Sequence, residues 1–109
     1  KSYGGILVDR DDNSIFRKRV IAPFGYKKVK MEWGDFNKRY TIFATNEDQA
    51  ASFELLNPSF MAWLYDQDIK ANIEVMDNIV ILYARVSSDE KRYAEMLEIL
   101  RRAHKELKM

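Results

Sequence analysis

The stretch Asn72-Ile73-Glu74-Val75-Met76-Asp77-Asn78-Ile79-Val80-Ile81-Leu82-Tyr83-Ala84 decides how this chain is read. Asn72 to Met76 has the length of a short strand. Asp77-Asn78 makes a tight turn, because both residues tolerate positive φ. From Ile79 to Val86 the residues are apolar on both faces: Ile79, Ile81 and Tyr83 on one, Val80, Leu82, Ala84 and Val86 on the other. Such a strand belongs in the middle of a sheet or beneath helices.

Upstream, the pattern is also that of strands. Gly4 and Gly5 lead into Ile6-Leu7-Val8, which breaks at the polar run Asp9-Arg10-Asp11-Asp12-Asn13-Ser14. Ile15-Phe16 and Val20-Ile21 bracket a basic segment closed by Pro23 and Gly25. In Lys28-Val29-Lys30-Met31-Glu32-Trp33 polar and apolar residues alternate, which sends Val29, Met31 and Trp33 to the core and Lys28, Lys30 and Glu32 to water. Tyr40 to Ala44 is a fourth strand, with Phe36 at the turn before it.

The period then changes. Asn46 with Gln49 fits a capping box, and Ala50, Phe53 and Leu56 or Leu55 follow at helical spacing. Pro58 suits the first turn of a new helix, so helices are expected over 46–56 and 58–68, with Asn57 capping the second. Phe60, Met61, Leu64 and Tyr65 stripe that helix, and Trp63 falls beside the stripe. After the hairpin, Ser87 with Glu90 opens an amphipathic helix over 88–108, striped by Tyr93, Met96, Leu97, Leu100, Ala103 and Leu107. The expected fold is therefore α+β: an antiparallel or mixed sheet, order ββββ-αα-ββ-α, with helices on one face. Residues 1–109 read as a single soluble domain without internal repeats or linkers.

Composition narrows function by exclusion. With 47% hydrophobic and 13% aromatic residues, four glycines and two prolines, neither disorder nor a fibrous repeat fits. The absence of cysteine removes disulfides, thiolate metal sites and cysteine nucleophiles, and a single histidine removes any site needing two imidazoles. No run reaches the roughly 18 apolar residues of a membrane-spanning helix. The chain opens at Lys1 rather than at methionine, which leads us to expect a piece of something longer or a processed product.

Asp9 to Asn13 has the look of a calcium loop, but the glycine position is Ser14 and the glutamate position Val20, so a solvated turn is the favoured reading over a weak divalent site. His104, on the last turns of the final helix among Arg101, Arg102 and Lys105, suits the helix dipole rather than catalysis. Acid pairs such as Glu47 with Asp48 sit at helix ends and turns. No nucleophile elbow or phosphate-binding glycine loop occurs. No catalytic, cofactor-binding or metal-ligating residue is therefore assigned, and no enzyme activity is expected.

The most distinctive charge feature is a basic patch, Arg17, Lys18, Arg19, Lys28, Lys30, Lys38 and Arg39, interleaved with Phe16, Phe24, Tyr26, Trp33, Phe36 and Tyr40. It suits an anionic partner, either lipid headgroups or single-stranded nucleic acid. A net charge of +1 speaks against the latter, and lysines facing water beside core aromatics account for the pattern without any partner. The terminal helix offers a second surface, able to self-associate through a short seam or to pack on its own sheet.

Phe36-Asn37-Lys38-Arg39-Tyr40-Thr41-Ile42-Phe43-Ala44-Thr45, then Asp48-Gln49-Ala50, then Leu55-Leu56-Asn57-Pro58-Ser59-Phe60-Met61 resembles a prokaryotic family known as domain of unknown function 3137. Tyr3-Gly4-Gly5-Ile6-Leu7 and Asp77-Asn78-Ile79-Val80-Ile81-Leu82-Tyr83 sit where that family has its glycine-led strand and late hairpin, so the likeness covers about residues 3–86. It implies a soluble domain following membrane-spanning segments, hence a membrane-associated protein with this domain in the cytoplasm. No activity or functional residue comes with it. Asn57 stands where a threonine or similar residue is usual, which is expected to alter the helix cap alone. The resulting expectation is a non-catalytic interaction or scaffolding module. Its partner is another protein, a second copy through the last helix, or an anionic membrane surface.

Overall fold

The computed structural model describes residues 3–10, 22–68, 70–84 and 90–108. In chain order these form β1 (Tyr3–Arg10), β2 (Tyr26–Val29), α1 (Gly34–Arg39), β3 (Tyr40–Thr45), a 3-10 turn (Asn46–Asp48), α2 (Gln49–Leu55), α3 (Pro58–Gln67), β4 (Ala71–Asp77), β5 (Ile79–Ala84) and α4 (Glu90–Glu106). The fold is α+β, and the five strands among the described residues form one antiparallel sheet in the order β2-β3-β1-β4-β5.

Residues opposed in an antiparallel ladder share a face. One row is Val29, Ile42, Val8, Ile73 and Leu82; the next is Lys28, Phe43, Leu7, Glu74 and Ile81. The first row enters the main core, where it meets Phe36, Leu55, Leu56, Phe60, Leu64, Ile99 and Ala103 from the helices. On the second, Leu7 and Phe43 are buried, while exposure rises toward β5.

Four expectations need correction. The hairpin forms with Asp77 at φ 54, and among the described residues β5 stands last in the strand order rather than in the middle, although its Val80 and Leu82 face packs on the core beneath α4 as the alternative reading expects. Its Ile79 and Ile81 face outward, 55% and 38% exposed. The element order also differs, because α1 stands between the β2 and β3 strands. Six residues are too few to display a helical period, although Phe36 is fully buried on it. The alternating run 28–33 is strand only to Val29. Beyond it the Asn37 side chain takes over Met31's backbone, its Oδ1 accepting from the Met31 N–H at 2.9 Å and its Nδ2 donating to the Met31 carbonyl at 2.6 Å. Those bonds replace a ladder, yet Met31 is still buried and Glu32 still exposed, so the alternation predicted burial correctly and backbone wrongly.

Finally, the expected stripe of α4 holds at Ala103 and Leu107 but fails at Tyr93 and Leu97. Ile99, Ala103 and Leu107 are buried, whereas Tyr93 and Leu97 are 57% and 52% exposed. The Tyr3 hydroxyl donates to the Leu107 carbonyl at 2.9 Å, tying the end of α4 to the first strand. The strand expected within 15–21 and the capping box at Ser87 lie outside the described residues.

Polar side chains satisfy the buried backbone around β1. The polar run expected to be a solvated turn begins inside the sheet: Asp9 and Arg10 end β1 and are buried. Arg10 meets Asp68 Oδ1 at 2.7 Å, and its guanidinium lies 5.3 Å from the Tyr40 ring centre. Burial pushes the Tyr40 hydroxyl above its ordinary range, with Arg10 opposing that shift. Asp48, read as a surface acid, is buried and accepts from the Gly5 N–H at 2.7 Å and the Thr45 hydroxyl at 2.9 Å. A Cβ at Gly5 would overlap the Tyr26 hydroxyl and lie 2.6 Å from its Cζ, so the Tyr26 side chain reaches past β3 into the space that Gly5 leaves open.

Candidate functional site

The segment that leaves the sheet after β2 sorts its side chains into two concavities. Met31, Glu32 and Trp33 line an apolar groove of about 660 Å³ that is completed by Phe53, Leu56, Pro58, Met61 and Ala62. Lys28 and Lys30 line a smaller depression of about 210 Å³, with Asn37, Lys38 and Thr41.

The groove exists because Pro58 restarts the helix. Asn57 has extended backbone, and its Oδ1 accepts from the Phe60 N–H at 3.0 Å, capping α3 as expected. The same side chain also does what a threonine could not. Its Nδ2 donates to the Glu54 carbonyl at 3.1 Å and to Glu106 Oε2 at 2.6 Å, locking the α2–α3 corner to α4. Asn57 therefore holds more than its cap. On the opposite wall, Trp33 packs at 6.0 Å from Phe36 and 4.7 Å from Tyr65, ring centre to ring centre.

Leu56 and Met61 form the buried floor, and Phe53, 48% exposed, stands open at the mouth. Phe53 had been expected on the inward stripe of its helix. Glu32 is the one charged lining residue among the described residues. A groove of this size, with flexible methionines, an aromatic wall and one carboxylate, has the make-up of a binding cleft that takes apolar groups and orients them by a single charge. Sequence reading missed it because its walls come from segments twenty or more residues apart, each of which looks like ordinary core.

The predicted basic patch is divided. Lys28, Lys30 and Lys38 come together around the smaller depression, all exposed. Lys38 lies 3.9 Å from Asp35, a contact between two hydrated groups. Arg39 is engaged elsewhere: its guanidinium stacks 3.7 Å from the Tyr65 ring centre, donates to the Tyr65 carbonyl at 2.9 Å and lies 3.5 Å from Asp68. Arg39 thus fastens α1 to the end of α3 and does not belong to the patch. Arg17, Lys18 and Arg19 lie outside the described residues.

His104 is exposed on α4. Among the described residues no group of three or more His, Asp or Glu side chains is placed to hold a metal ion, and no helix is long and apolar enough to cross a membrane. Compared with known proteins, the chain matches no family model, no curated protein and no solved structure.

Proposed function

We propose that this domain is a non-catalytic protein-interaction module whose apolar groove receives a basic amphipathic helical segment of a partner. The observation that carries this reading is the 660 Å³ groove, with its buried Leu56 and Met61 floor, Trp33 wall and open Phe53. An apolar helix face would displace water from these side chains, and a lysine or arginine flanking that face would meet Glu32. In this reading the four helices cover one face of the sheet, and the domain belongs to the prokaryotic family it resembles, as a cytoplasmic part of a membrane-associated protein.

Trp33 makes the groove its own reporter. In a Trp63→Phe variant the remaining indole should shift to the blue and saturate when titrated with a synthetic leucine–lysine amphipathic helix. Ala62→Arg, at an exposed position of the lining, should abolish the response without changing the circular dichroism. An unchanged spectrum at millimolar peptide, or a response indifferent to Ala62→Arg, contradicts the assignment.

A second reading has its own observation, the meeting of Lys28, Lys30 and Lys38 around one depression. These cations suit anionic headgroups, each contributing on the order of 1 kcal/mol near a charged surface. Flotation with phosphatidylglycerol vesicles that fails in the triple lysine-to-glutamate variant would support it. Equal flotation of both proteins, or none, would remove it.

A further inference from the structure

The chain leaves the sheet at Lys30, one residue after the last rung of the β2–β3 ladder, Val29↔Ile42. Tyr40 and Thr41, which open β3, therefore run on past the end of β2, and beside them lies the depression lined by Lys28, Lys30, Asn37, Lys38 and Thr41. Lys28 and Lys30 flank the buried Val29, so alternation turns both of them outward. Lys38 joins them from α1. Asn37, just before it, bonds twice to the backbone of Met31, just after Lys30. That single clasp fixes the spacing of two lysine-bearing segments.

Like charges gathered round one hollow repel each other. Among the described residues no carboxylate lines the depression, and Asp35 meets Lys38 only as a 3.9 Å contact between exposed groups. The arrangement therefore favours an occupant that brings negative charge with it. Its volume limits what enters. About 210 Å³ holds one phosphoryl group with water, and it falls below the roughly 300 Å³ at which sites for whole drug-sized ligands begin.

We propose that Lys28, Lys30 and Lys38 form a binding site for the terminal phosphoryl group of a phosphate monoester. The inference deepens the headgroup reading of these lysines and rests on it for an anionic partner. A monoester carries close to two negative charges and three terminal oxygens, one for each ammonium group. A diester, the linkage in phosphatidylglycerol, has one charge and two such oxygens, so the site should prefer the monoester. The rest of the ligand, lipid tail or soluble group, stays outside the depression.

The test is a titration of the whole chain followed by amide NMR at about pH 8, above the second phosphate pKa of about 6. Methyl phosphate should shift the amides of 28–30 and 37–38 and saturate with a Kd of about 1–10 mM, the range of a few exposed ion pairs. Dimethyl phosphate should bind at least threefold more weakly. Lys28→Gln, Lys30→Gln and Lys38→Gln should each weaken methyl phosphate about two- to fivefold. Lys27→Gln removes the same charge from the other face of β2, where Lys27 stands opposite Ala44, and should leave binding unchanged.

Vesicles of phosphatidic acid, a monoester lipid, separate the two sources of such a group. Flotation that methyl phosphate reverses places the phosphoryl group on a lipid, whereas methyl phosphate binding without flotation places it on a soluble ester. No saturation by about 100 mM methyl phosphate overturns the site. So does dimethyl phosphate bound as tightly, or an equal loss in Lys27→Gln. Lysine-dependent flotation with phosphatidylglycerol alongside any of those three results would mean that the monoester site had failed while the headgroup reading stood.

Discussion

β1 and β5 exchange the places their sequences suggest. β5 is six apolar residues in a row, yet it lies at the edge with its outward face half exposed. β1 contains two glycines, an aspartate and an arginine, yet it is the central strand, paired on both sides and buried at every position except Gly4. Apolar content therefore sets how much surface a strand wants covered, while its lateral position is decided by partners. β1 can be central because its polar groups are matched by distant ones: Gly5 by Asp48, Arg10 by Asp68 and by the Asn72 side chain, which accepts from the Arg10 N–H at 2.8 Å. β5 has apolar surface beyond what its own core uses.

The sharpest way to break this comparison is to truncate an isoleucine in each strand. Ile6→Ala in β1, at a position without solvent exposure, should cost about 3–4 kcal/mol in urea unfolding. Ile81→Ala in β5 should cost about 1 kcal/mol or less, since its side chain is partly in water already. Equal losses would mean that β5 is as enclosed as β1. Next in size, Asp48→Ala should cost about 2 kcal/mol, because the buried Gly5 N–H loses its acceptor. Asp48→Asn, which keeps an acceptor oxygen, should recover much of that loss.

Smaller again is Asn57→Thr. The cap on α3 survives, but the donation to Glu106 does not, so a loss of about 0.5–1 kcal/mol is expected. No loss at all would restore the simpler view of Asn57 as a cap alone.

The smallest effect is a pH response on α4. Arg101 Nη2 lies 2.6 Å from Glu98 Oε1 and Arg102 Nε 3.1 Å from it, and the hydrogen bond from Arg101 is the main reason the Glu98 carboxyl falls to about 2. A carboxyl lowered in the folded state stabilises fully above its unfolded pKa of about 4.5 and loses that contribution as pH falls toward 2. The chain with Glu98→Gln should therefore show a slightly flatter decline in unfolding midpoint over this window, and a curve identical to the parent's would contradict the assignment. Exposure keeps the effect small.

Much of the fold is legible in residue order. The Asp77-Asn78 turn, the Pro58 restart capped by Asn57 and the strand at Tyr40 to Ala44 are local events, governed by φ preferences, capping and alternation, and each forms where its residues indicate. What could not be read is what depends on distant partners. The burial of Arg10 needs Asp68, the burial of Asp48 needs Gly5, and the turning of Arg39 away from its neighbouring lysines needs Tyr65. Along α4 the stripe was legible at Ala103 and Leu107, whereas Tyr93 and Leu97 turn outward and the core takes Ile99, which that stripe left out. The groove was invisible for the same reason, since Met31, Phe53 and Met61 become neighbours only after folding.

The central claim, that among the described residues apolar surface sits at the end of the strand order while polar residues hold the middle of the sheet, is tested most directly by amide hydrogen exchange on β1 and β5. At about 1 µM, where association is negligible, all paired β1 amides should exchange slowly, and β5 amides pointing away from β4 should exchange orders of magnitude faster. Slow exchange along the whole of β5 in the dilute monomer would contradict the account, because that strand would then already have a partner within its own chain.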